Sequence, residues 1–255
     1  EDLNLLLVKK LMPKFKITIE YEGSDFVGWQ KQENGLSIQE TIEDAVYKLT
    51  GETVTLFGAG RTDAGVHAKG QVAHFDLIKY FESDEIRDGL NQHLRPLPIA
   101  IIDAAEAGSD FHARFSAKKR SYEYLIINRR SPLTINKNRA WCVFKKLDLD
   151  TIYQESKSFI GNHNFQAFRS VDCQATSPKK TIDEVFIKEK HEKISISISA
   201  KSFLHSQVRI MVGTLIEIGK GKITKSVKDI ILSQDRAQAG VTAPACGLYL
   251  LKVDY

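Results

Sequence analysis

At 255 residues the chain can bury a large core, as one domain or two compact ones, and its 42% hydrophobic and 27% charged content is ordinary for a soluble globular protein. No apolar run approaches the ~20 residues needed to span a bilayer. A net charge of +4 and a pI near 8.8 are mildly basic and do not by themselves point to a nucleic-acid partner. The three cysteines, Cys142, Cys173 and Cys246, lie far apart without a C-x-x-C pair, which argues against a zinc site or a disulfide framework and for a reducing cytoplasm.

Residues 1–11 begin too acidic and run too short for a secretory signal, and are expected to be an N-terminal extension outside the chemistry. From Met12 the pattern becomes regular. Lys14–Tyr21 alternates strictly, Phe15, Ile17, Ile19 and Tyr21 on one face, as a half-buried strand does. Glu22-Gly23-Ser24 breaks it, and Phe26, Trp29 and Gln30 follow in a loop. Ser37 with Glu40 forms a capping box for a helix that carries Ile38, Ile42, Ala45, Val46 and Leu49 on one face and ends at Gly51. Strands are expected at residues 53–57 and 71–77. A helix follows from about Asp84 to Leu94, stopped by Pro96 and Pro98, then a strand at residues 99–105. The order is β-α-β-β-α-β, the split βαβ arrangement of ferredoxin-like domains.

Residues 106–117 are irregular, and the domain boundary is expected there, giving residues 12–110 and 111–255. The second half repeats the order. It has strands at residues 121–128 and 140–144 and a helix capped by Asp148 that carries Leu149, Ile152, Phe159 and Ile160. Strands at residues 182–189 and 193–200 follow, then helices at residues 207–218, with Val208, Met211, Val212 and Leu215 on one side, and 226–233. A strand at residues 248–254 closes the chain. The expected fold is therefore α+β: two ferredoxin-like halves with mainly antiparallel sheets, joined over a central active-site cleft.

Between the strands expected at residues 53–57 and 71–77 lies Gly58-Ala-Gly-Arg-Thr-Asp-Ala-Gly-Val-His-Ala68. Small residues crowd around Arg61 and Asp63, a composition suited to a tight turn rather than a core. Such a segment can be a surface turn with a solvated ion pair of little energetic weight. Two flanking strands favour a fixed loop that presents a carboxylate, where catalytic groups are often found. Seven histidines (His67, His74, His93, His112, His163, His191, His205) show neither H-x-x-x-H nor H-E-x-x-H spacing, so no metal site is expected.

Arg61-Thr-Asp-Ala-Gly-Val-His-Ala68 resembles the signature of the tRNA pseudouridine synthase A family. The resemblance runs from about Phe15 to Val253. It implies that Asp63 is the essential catalytic residue. Tyr122, first of the Tyr-x-Tyr after Lys118-Lys119-Arg120, would stack on the target base as the suspected proton acceptor, whereas Tyr124 reads as a sheet aromatic. Arg209, in Phe203-Leu-His-Ser-Gln-Val-Arg-Ile-Met-Val-Gly213, would pair with Asp63 across the cleft and keep it ionised; read alone it could be a snorkelling helix arginine. Arg61 would hold the flipped nucleotide, the alternative being a local turn stabiliser. Tyr21–Gln30 and Phe165–Arg169 with Cys173-Gln174 resemble family segments that touch RNA, and Thr242–Leu250 resembles the closing segment that lines the pocket. Lys180 stands where arginine is often expected, a swap a single phosphate contact survives.

The resemblance further implies isomerisation of uridine to pseudouridine in the anticodon stem-loop of tRNA, by a homodimer, with no metal, cofactor or membrane. The reaction breaks the C1′–N1 bond, turns the uracil and joins C1′ to C5. It needs a carboxylate near the sugar, a base for the C5 proton and a uridine out of its stack, which costs a few kcal/mol. Two rivals stand beside it: a non-catalytic RNA-binding module of ferredoxin-like fold, and a uracil-releasing base enzyme.

Overall fold

The computed structural model describes residues 12–171 and 173–255; the expected N-terminal extension, residues 1–11, lies outside the described residues. They form two compact units. One comprises the described residues up to Lys118 together with Leu250–Tyr255, the other Lys119–Tyr249.

In the first unit β1 (Lys14–Tyr21) forms where the alternation places it, with Phe15, Ile17, Ile19 and Tyr21 no more than 2% exposed. α1 (Ile38–Thr50) follows, with Ser37 Oγ accepting from the Glu40 N–H at 3.2 Å. β2 is only Phe57–Gly58, and β3 is His67–Asp76. The strand expected at residues 53–57 is thus mostly absent. α1 side chains take the backbone groups a ladder would use: the Leu56 N–H donates to Glu43 Oε1 at 2.9 Å, and Gln39 Nε2 donates to the Leu56 carbonyl at 3.3 Å. α2 (Ser83–Leu94), capped by Glu82, packs against α1 and buries Ile86, Leu90 and Leu94. β4 (Ile99–Ala107) completes the set. β1 pairs antiparallel with β3 and β4, and β2 with β3, in the order β4-β1-β3 with β2 also on β3.

In the second unit β5 (Lys119–Asn128) pairs antiparallel with β9 (Lys193–Ala200), β9 with β8 (Lys179–Lys190), and β8 with β7 (Gly161–Asn164). β6 (Trp141–Val143) lies parallel to β5. The sheet is therefore mixed, which corrects the expectation of mainly antiparallel sheets. The chain re-enters β5's direction after a long connection, residues 129–140, instead of a hairpin turn.

α3 (Leu149–Ser156) is shorter than its apolar pattern suggests. Ile152 and Phe159 are both fully buried, but the chain tightens into a 3₁₀ turn at Lys157–Phe159, and Ile160 stands 44% exposed beyond it. Phe159, Phe165 and Phe168 pack with ring centroids 5.1 to 6.4 Å apart beneath this turn. α4 (Gln207–Gly219) buries twelve of its thirteen residues, where a one-sided apolar stripe is expected. α5 (Val227–Ser233) starts on Ser226, whose Oγ accepts from the Asp229 N–H at 3.1 Å. β10 (Leu248–Asp254) ends the chain; from Leu250 it belongs to the first unit, beside β3.

One buried group on β3 makes stability pH-dependent. His74 is 2% exposed, accepts from the Ala113 N–H at 3.1 Å and stacks on Phe57 at 5.2 Å. Burial, with Lys14 and His112 nearby, pushes its pKa from 6.5 down to about 4. The unfolded chain takes up this proton first. Its contribution is therefore complete above pH 6.5 and is lost as pH falls toward 4, at most about 3 kcal/mol. Unfolding free energies from urea titrations at pH 7 and pH 4.5 should differ less in His74→Gln than in the wild type, by about 2 kcal/mol; an equal difference would assign the acid sensitivity to other groups.

Candidate active site

Asp63 lies on the turn between β2 and β3, and the loop after β1 holds that turn from both ends. Tyr21, 2% exposed, shares a 2.8 Å hydrogen bond with Thr62 Oγ1, and Thr62 is itself buried. The Trp29 N–H donates to the Thr62 carbonyl at 3.0 Å. Gly28, at φ 116°, lies so close to the turn that a Cβ there would meet the Thr62 carbonyl at 2.8 Å and the Ala64 nitrogen at 3.3 Å. At the other end a Cβ on Gly23 would sit 2.0 Å from the Val66 carbonyl oxygen. The Gly23 N–H donates to His67 Nδ1 at 2.9 Å, and Glu22 Oε1 lies 3.4 Å from the same nitrogen. Within the turn the Val66 N–H donates to the Asp63 carbonyl at 3.1 Å, and Gln71 Nε2 donates to the Gly60 carbonyl at 2.7 Å.

These contacts separate the roles of the turn residues. Thr62, Val66 and His67 face inward and anchor it, Asp63 is half-buried, and Arg61 is exposed. The structure thus brings Arg61 and Asp63 together on one clamped loop. His67, one of the histidines weighed as a metal ligand, is 1% exposed and serves the backbone of the β1 loop. Among the described residues no group of three or more His, Cys, Asp or Glu side chains is placed to hold a metal ion. Tyr21–Gln30, which resembles an RNA-touching segment, also clamps the Asp63 turn. The available signal was the pair of glycines, Gly23 and Gly28, bracketing a loop with a buried Trp29.

In the second unit Tyr122, on β5, is 8% exposed, with its ring edge-on to Phe203 at 5.3 Å. Phe203 opens the segment that leads into α4, so the tyrosine and the arginine motif meet through it. Ser206, just before α4, holds a left-handed backbone at φ 56°. On α4, Arg209 is the one residue that is not buried. Its Nε donates to the Ala243 carbonyl at 2.8 Å, and the Ala243 N–H donates back to the Arg209 carbonyl at 3.1 Å. Tyr124 is fully buried and donates to the Pro244 carbonyl at 2.7 Å, while Gly247 lies against its ring. Burial raises the Tyr124 pKa far above the ordinary range, so its hydroxyl stays protonated and structural. Tyr124 and Arg209 together fix the Thr242–Gly247 segment. Lys180 Nζ donates to Ser202 Oγ at 3.2 Å.

The model of the tRNA pseudouridine synthase family matches residues 17–116 and 156–255, and the chain belongs to that family. It is similar to proteins named tRNA pseudouridine synthase A. One from Parvibaculum lavamentivorans is 51% identical over 245 residues, which is 96% of this chain and 100% of the relative. One from Maricaulis maris is 48% identical over 245 residues, 96% of this chain and 98% of the relative. One from Wolbachia pipientis wMel is 52% identical over 244 residues, 95% of this chain and 100% of the relative.

Proposed function

We propose that the protein isomerises uridine to pseudouridine in the anticodon stem-loop of tRNA, with Asp63 as the catalytic carboxylate. The observation that carries the Asp63 assignment is the clamp: two close backbone approaches, at Gly23 and Gly28, and a buried Tyr21–Thr62 hydrogen bond fix the turn that carries the half-buried Asp63. Such fixation is what a positioned catalytic group requires and what a solvated surface pair does not.

In the reaction the C1′–N1 bond breaks, the uracil turns, C1′ bonds to C5, the C5 proton leaves and N1 takes up a proton. Asp63 acts at the sugar or the base. Tyr122, whose ring is already ordered against Phe203, stacks on the uracil and accepts the C5 proton. A free phenol is a weak base at neutral pH, so the proton transfer depends on the ordered placement of the ring. Arg209, held by Ala243 and left half-exposed by an otherwise buried helix, steadies the Asp63 carboxylate. Arg61 holds the extruded nucleotide.

The ferredoxin-like description of both halves belongs to the same reading. The order β4-β1-β3 with β2 on β3 in one unit, and β5-β9-β8 in the other, supports it. We further infer a cytoplasmic homodimer, on the family resemblance; no helix of the described residues is long and apolar enough to cross a membrane.

The test is nucleoside analysis of uridine-containing tRNA after incubation with the protein, with modified positions mapped. Pseudouridine confined to the anticodon stem-loop is expected. Released uracil would favour a base-releasing enzyme, and binding without a new nucleoside would favour a binding module. Tyr122→Phe keeps the ring and should slow turnover by 10²-fold or more, the usual scale for a lost general base; unchanged kcat would remove Tyr122 from proton transfer.

A further inference from the structure

The positive charge of this chain is strongly segregated. Residues 129–146 and 219–228 hold ten of the 36 lysines and arginines and none of the 32 acidic residues. The remaining 26 cations face all 32 acids, a net charge of −6, so the overall +4 arises wholly from these two segments.

The fold of the second unit puts the segments side by side. Lys145 Nζ donates to the Lys220 carbonyl, the Asp148 N–H donates to the Gly219 carbonyl at 3.0 Å, and Lys220 Nζ lies 5.1 Å from the centre of the Trp141 ring. Asn128, at the end of β5, ties in the same region by donating to the Val143 and Lys145 carbonyls at 2.7 and 2.8 Å. Several nearby carboxylates are already engaged. Glu217 takes Lys220 at 2.9 Å and Lys222 at 3.3 Å, Glu192 takes Arg129 at 2.8 Å, Asp148 caps α3, and Asp229 accepts from the Ser226 hydroxyl at 2.7 Å in the first turn of α5. Arg130, Lys146 and Lys228 are exposed and have no carboxylate partner among the described residues. Phe144, between Val143 and Lys145, is 57% exposed, an aromatic face beside the cations.

We propose that this surface holds backbone phosphates of the tRNA outside the reacting nucleotide, an inference that rests on the tRNA substrate proposed above. Tyr122 and Asn128 are six residues apart on β5, about 20 Å at ~3.3 Å per residue. A ligand engaging both ends must extend well beyond one nucleotide. Scattered cations without carboxylate partners suit a line of phosphates, which needs charge rather than a fixed pairing geometry.

The experiment compares wild type with the triple variant Arg130→Ala, Lys146→Ala, Lys228→Ala, measuring tRNA Kd across a salt series, kcat at saturating tRNA, and sedimentation. Each lost phosphate contact should reduce the slope of log Kd against log salt by about 0.7–0.9, so the triple variant should lose about 2.1–2.7 and bind at least tenfold more weakly at physiological salt. Its kcat should not change. Lys146→Ala alone should reduce the slope by just under 1. An unchanged slope in the triple variant, with wild type still forming pseudouridine, overturns this surface and leaves the function standing. A changed association state with an unchanged slope overturns it in favour of a protein interface. No pseudouridine from the wild type sinks the functional reading instead.

Discussion

Asp63→Asn should leave a folded protein that binds tRNA at least as well as the wild type and makes essentially no pseudouridine, a loss on the order of 10⁴-fold or more in kcat. Asparagine matches aspartate in shape, so the turn should survive. Three of its restraints do not involve the carboxylate: the Val66 N–H on the Asp63 carbonyl, the Trp29 N–H on the Thr62 carbonyl, and the Tyr21–Thr62 hydrogen bond. What disappears is the negative charge, and with it any role at the sugar or the base. Removing a negative charge from a surface that meets phosphates should not weaken binding. Measured together, thermal midpoint, tRNA Kd and nucleoside yield separate these effects. Turnover within a few fold of wild type would exclude the carboxylate from the chemistry, whatever the fold.

Gly28→Ala should cost both stability and catalysis. The added methyl would meet the Thr62 carbonyl at 2.8 Å and the Asp63 carbonyl carbon at 3.3 Å, on a backbone at φ 116° that alanine rarely adopts. Overpacking against backbone costs about 1–3 kcal/mol. The nearest yielding element is the Asp63 turn itself, and a shift of about 1 Å in a catalytic group can cost about 10²-fold in rate. kcat should therefore fall about 10²-fold with little change in tRNA Kd. Gly51→Ala provides the comparison. Gly51 also has positive φ, 75°, but a Cβ there meets nothing within 4 Å. It should lose about 1 kcal/mol of stability and keep full activity. If both variants lost activity equally, backbone strain rather than contact with the turn would be the cause. Gly23→Ala, with its methyl 2.0 Å from the Val66 oxygen, should behave like Gly28→Ala with a larger stability loss.

Much of this protein follows from its sequence alone. The β1 alternation and the Ser37 and Asp148 caps form as the pattern requires, because each depends on side-chain periodicity or on a hydrogen bond only a few residues long. The family signature around Asp63 is likewise legible, being contiguous. Tertiary structure decided what depends on distant residues. Glu43 and Gln39 on α1 claim the Leu56 backbone and erase most of a strand. Burial on all sides overrides the apparent one-sided stripe of α4 and leaves Arg209 as its one half-exposed residue. β6 takes a parallel place on β5 that no local pattern encodes. The clamp on the Asp63 turn joins residues some forty positions apart. Its physical content, a carbonyl lying where a side chain would stand, arises only when two loops fold against each other.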